Sequence, residues 1–168
     1  MAEAKTLNDL FVDSLKDILF AERQILKALP KMARAAGAAE LKAAIEKHRE
    51  QTEGQIERLE QIFSGMGMAA RGKNCPAIVG ILEEGQEVLD DYAGSAALDA
   101  GIVASAQAVE HYEIVRYGTL KTWADLLGMQ DAARLLAATL AEEEQTDADL
   151  TKLAKSKVNP QAMAKKAA

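Results

Sequence analysis

Two stretches of this chain, residues 6–66 and 97–153, carry helical apolar periodicity that is broken only by short turns at Gly37 and Gly128. A turn of two to four residues between two long helices forces them to lie antiparallel. The first helix is predicted from Thr6, a candidate N-cap, to Ala36, with Phe11, Leu15, Ile18, Glu22, Ile25, Leu29, Met32 and Ala36 facing inward. Pro30 removes one backbone donor late in that run, so a bent helix is expected to continue past it. The second helix is predicted over 39–66, with Leu41, Ile45, His48, Thr52, Gln55 or Ile56, Leu59, Phe63 and Met66 inward. The third covers 97–127 and the fourth 130–153, the latter turning Leu136, Leu140, Glu143, Asp147 and Leu150 inward.

Between the hairpins, "SGMGMAARGKNCP" breaks the pattern with glycines and a proline, and a shorter amphipathic helix follows from Pro76 to Tyr92. A helix of about 17 residues rises roughly 25 Å, enough to carry the chain back along most of a bundle. The second and third long helices then run parallel. This predicts an all-α chain, a ferritin-like four-helix bundle with a short crossover helix between its two hairpins. Ala and Leu supply most of the apolar content while aromatic residues make up only 4%, and no alternating β-branched run competes for a sheet. Residues 1–155 are read as one domain, and 156–168 as a flexible basic tail.

Each inner row contains an acid or another polar group that an apolar interior should reject. Reflecting Glu22 about the first turn places Thr52 and Glu53 at its height. Reflecting Glu113 about Gly128 places Glu143 level with it, and Glu110 falls near Asp147. Counting down from the starts of the second and third helices brings Glu53, Glu110 and Glu113 to within about one turn, roughly 5.4 Å. Polar groups from all four helices thus converge on one level between apolar layers. Carboxylates bridging cations remove the penalty of their own burial, and hard or borderline divalent ions take oxygen ligands. The candidate ligands are Glu22, Glu53, Glu110, Glu113, Glu143, Asp147 and His48, the cofactor two divalent ions, iron or manganese. Tyr117, one turn below Glu113, is placed to hydrogen-bond a ligand. The competing reading is a structural homodimer whose acids are protonated or paired with Arg116 and His48.

The formal charge of −6 excludes a nucleic-acid binder, which needs clustered Lys and Arg. No run reaches the roughly 20 apolar residues of a membrane span. Lone Cys75 fits a reducing cytoplasm and, with no His nearby, carries no site of its own. His111 is read as a structural residue or an outer hydrogen-bond donor to a ligand. Val12, Leu19 and Leu26 widen the apolar arc of the first helix, and Tyr112, Val115 and Trp123 that of the third, which predicts a homodimer.

Four stretches, "FAERQILKAL", "GQIERLEQIF", "AQAVEHYEIVRYGTL" and "TLAEEEQTDADL", resemble the bacterial YciF/YciE family of ferritin-like stress proteins. The Glu110-x-x-Glu113 pair also resembles the third helix of rubrerythrin. The resemblance implies a cytoplasmic dimeric bundle, association with stress responses and a dinuclear metal centre, and it supplies no reaction. A small oxidant such as peroxide or oxygen is the partner expected of such a centre from its open coordination positions. Ferritins and rubrerythrins carry Glu-x-x-His on their second and fourth helices, and this chain has no such motif. A site so rich in carboxylate and poor in nitrogen is expected to favour harder ions such as manganese.

Overall fold

The computed structural model describes residues 4–164 as helices and connections, with no strand among them. Helix α1 spans Leu7–Ala35, α2 Ala39–Gly65, α3 Pro76–Asp91, α4 Leu98–Leu126 and α5 Gln130–Leu153. A π-helical turn at Ala154–Val158 leads into α6, Asn159–Ala164. Helix α1 packs on α2 and α4, and α5 packs on α2 and α4, so the four long helices close a square with α1 diagonal to α5. Helix α3 lies outside this square against α4 and α1.

Local chemistry sets the helix ends. The Thr6 hydroxyl accepts from the Asp9 amide at 3.2 Å, while the Thr6 amide donates to the Asp9 carboxylate at 2.8 Å. Helix α1 runs through Pro30 unbroken. At the end of α4, Gly128 takes φ +73°, its amide donates to the Asp125 carbonyl and the Met129 amide to that of Ala124. That pair of bonds is a Schellman closure, which favours glycine because the backbone is left-handed.

The α1–α2 turn has no side-chain cap of its own. Asp99, in the first turn of α4, accepts from the Gly37 amide at 2.7 Å and the Ala38 amide at 2.8 Å. It thereby ties one hairpin to the other, with its charge at the positive end of α4. Asp99→Ala is expected to lower stability by about 1–2 kcal/mol, a fall of roughly 2–8 °C in Tm readable by calorimetry.

The outer face of α1 is covered by the chain's own crossover. The Lys73 amide donates to the Lys16 carbonyl at 3.0 Å, and a Cβ on Gly72 would sit 3.1 Å from Phe20 Cβ. Leu19, expected to face a partner subunit, is fully buried within the chain. Val115 and Leu126 on α4 stay exposed. The chain's C-terminal end packs back on the bundle. Ala154 and Val158, four residues apart on one helical face, are buried, and Lys157 pairs with Glu40 at the start of α2. The final stretch 165–168 lies outside the described residues. No described helix is long and apolar enough to cross a membrane.

Candidate metal centre

Each long helix delivers polar groups to the middle of the bundle because its inner row contains at least one acid, histidine or amide. Glu22 on α1, His48, Thr52 and Gln55 on α2, Glu110 and Glu113 on α4, and Glu143 on α5 are all buried. His48 Nε2 lies 3.4 Å from Glu110 Oε1 and 4.0 Å from Glu113 Oε2, and its Nδ1 lies 4.0 Å from Glu143 Oε2. One ligand atom from each of His48, Glu110, Glu113 and Glu143 falls within 4.8 Å of the other three. Glu22 faces Glu113 closely enough to share a proton, and the Tyr117 hydroxyl donates to its Oε1. The Gln55 amide donates to Glu143 and, at 3.2 Å, to Glu142.

Among the described residues, every buried side-chain nitrogen or oxygen without a hydrogen-bond partner belongs to this cluster. They are Glu22 Oε2, both ring nitrogens of His48, Gln55 Oε1, both oxygens of Glu110 and of Glu113, and Glu143 Oε2. Buried polar atoms normally find partners, because desolvation without compensation costs about 1–3 kcal/mol or more each. Here they converge on one another, with only the protons of the carboxyls and of the neutral imidazole to donate among them, and divalent cations are what such a ligand set fits.

The proton equilibria follow from the same crowding. Burial, then the charge of Glu143, pushes Glu22 up to about 8. Burial and a proton shared with Glu143 push Glu110 up to about 11. Burial and the Glu22 charge raise Glu113, and burial raises Glu143. Burial lowers His48 to about 4, so its imidazole is neutral at pH 7, the form that binds metals. Outside the cluster, Glu142 is held down first by its hydrogen bond to Arg58, which grips it through two contacts of 2.6 and 2.7 Å.

Two sequence candidates fall outside. Glu53 is exposed and pairs with Arg49 at 3.6 Å. It stands five residues beyond His48, about 140° around the helix, so equal height did not bring it to the same face. Asp147 is half-buried, accepts from Gln107 Nε2 at 2.9 Å and lies 3.3 Å from His111, which is exposed. Arg116, the suggested partner of Glu113, points away instead. It lies 3.8 Å from Asp17 and over the Tyr112 ring. Cys75 is buried, accepts from the Ile78 amide at the start of α3 and meets the Tyr112 hydroxyl at 3.1 Å. The Arg58–Glu142 pair was missed, although Arg58 follows Gln55 by one turn and Glu142 adjoins Glu143.

Residues 6–163 match the protein family described as a domain of unknown function, DUF892. The chain belongs to this family. Protein YciF of Escherichia coli K12 is 44% identical over 159 residues, covering 94% of this chain and 96% of that protein. The solved structure of that E. coli stress protein superposes with a TM-score of 0.88 at 43% identity, over 93% of this chain and 99% of that one. YcfI of Rhodopseudomonas palustris, for which a structural role has been suggested, gives a TM-score of 0.86 at 47% identity, over 89% and 96% of the two chains. A Xanthomonas campestris protein only 20% identical shares the fold, with a TM-score of 0.73 over 96% and 99%. The chain's relatives thus include a stress protein of E. coli.

Proposed function

We propose that this chain is a stress-related carboxylate protein of the cytoplasm whose bundle holds two divalent ions, iron or manganese, and reacts with peroxide or oxygen. The observation that carries the reading is the gathering, at one level, of all the unpartnered buried side-chain polar atoms among the described residues. Glu22, His48, Glu110, Glu113 and Glu143 would hold the ions, with Asp147 one turn beyond Glu143 at the margin. Bound ions would supply electrons and Lewis acidity to a small oxidant. Tyr117 orients Glu22, and Gln55, braced by the Arg58–Glu142 pair, orients Glu143. Buried Ile25 and Val109, in the wall beside His48 and Glu110, keep bulk water away. Val115 and Leu126 would form part of a homodimer contact.

Manganous or ferrous ions added to chelator-treated protein are expected to raise Tm. At a hundredfold excess over Kd the gain is about 2.7 kcal/mol, roughly 5–11 °C for a domain of this size. Elemental analysis is expected to find the metal in stoichiometric amount. The competing structural reading draws on Glu110, which burial keeps protonated at neutral pH. An unchanged Tm with no bound metal would select it instead.

A further inference from the structure

An open pocket of about 410 Å³ lies between α1, α3 and α4, with exposed Lys27 and Lys31 in its wall and Ile81 and Leu89 lining it. Ala28, Met32, Leu82 and Val109 also line it, and the same four residues bound a second void of about 10 Å³ whose far wall is Ile25, His48 and Glu110. The two voids are therefore consecutive, the outer one open to solvent and the inner one against the centre. The pockets beside the start of α1 and beside Gly128 have no residue of the centre in their walls.

We propose that this pocket and its throat are the passage by which a small uncharged oxidant reaches the His48–Glu110 edge of the centre, and that Ala28, Met32, Leu82 and Val109 set the size it admits. The inference rests on the proposed function for what happens at the inner end. A void near 10–15 Å³ is about one water probe in size, so the throat passes dioxygen or hydrogen peroxide and holds back larger molecules unless its side chains move. An ion entering between Met32, Leu82 and Val109 would lose its hydration without any polar group to replace it. At the end of the passage stand the two unpartnered nitrogens of buried His48 and both unpartnered oxygens of Glu110. Helix α3 is consequently more than a connection. Its Leu82 forms one side of the throat, and its close approach to α4, where a Cβ on Gly101 would lie 2.5 Å from Val88 Cγ1, keeps the passage narrow.

The test uses two readouts. In metal-free protein under dioxygen pressure, the paramagnetic gas is expected to broaden the methyl signals of Met32, Leu82, Val109 and Ile25 more than those of Leu59 and Leu136. Ala28→Phe, at a half-buried position in the wall, is expected to remove the effect at Ile25. In ferrous-loaded protein mixed with hydrogen peroxide, two ferrous ions each give one electron and the peroxide takes two protons to leave as two waters. The rate of that oxidation is expected to fall at least tenfold in Ala28→Phe and to rise at least twofold in Leu82→Ala, at unchanged iron content. A silent Ile25 in the unmodified chain, or equal rates in all three proteins, would overturn the passage. A chain that binds no iron refutes the metal reading instead, and the methyl signals still decide the passage.

Discussion

Glu113→Leu is expected to abolish metal binding and, in the same protein, to make the metal-free chain more stable. Glu113 is wholly buried, and neither of its oxygens has a hydrogen-bond partner unless it keeps a proton against Glu22. Leucine is similar in size and needs no water. Removing a buried polar group that lacks hydrogen-bond partners, without opening a cavity, recovers its desolvation cost of about 1–3 kcal/mol, several degrees in Tm here. Loss of a central carboxylate is expected to weaken metal affinity at least a hundredfold, more than the ten- to hundredfold typical of an outer partner. Calorimetry with chelator present, and titration with manganous ion, read the two effects separately. A drop in stability of the metal-free variant would mean that Glu113 holds the bundle together, as the structural reading requires.

The second large effect is an inverted pH dependence in the metal-free protein. Glu22, Glu110, Glu113 and Glu143 all have folded-state pKa values raised above the ordinary 4.5, to about 8 for Glu22 and about 11 for Glu110. Above 4.5 the unfolded chain releases protons that the folded chain retains, so stability falls as pH rises through this window. His48 works in the opposite sense. Its folded value of about 4 lies below the ordinary 6.5, so it adds stability as pH climbs from about 4 to 6.5 and nothing beyond. Between pH 6.5 and 8 only the carboxyls act, and each that folding keeps protonated contributes a decline of about 1.4 kcal/mol per pH unit. Tm measured with chelator is expected to fall across this interval. With manganous ion present the decline is expected to vanish and apparent affinity to climb, because cations then replace the protons.

The convergence of Glu22, Glu110, Glu113 and Glu143 was legible from height alone. An acid in an inner row, reflected about a short turn, must meet whatever stands at the same level on the neighbouring helix. Height carries no information about azimuth, and Glu53 shows the consequence: level with the others, it faces solvent beside Arg49. His48 entered the same argument as an inward residue one turn away, and its reach to Glu110 depends on side-chain length and helix tilt. The broad apolar arc of α1 was legible too, but its cover was not. A glycine-rich crossover has no periodicity to show that Gly72 will lie against Phe20 on the outer side of α1.

The sequence by itself determined the helices, their antiparallel pairing through Gly37 and Gly128, the parallel second and third long helices, and the burial of acids at mid-bundle. These follow from periodicity and turn length, which are properties of neighbouring residues along the chain. Only the tertiary structure decided that Asp99 closes the opposite hairpin, that Arg116 serves Asp17 rather than Glu113, and that a water-sized throat beside α3 ends at His48. Those outcomes depend on the angle and distance at which separate helices meet, and side-chain packing sets these across the whole bundle at once.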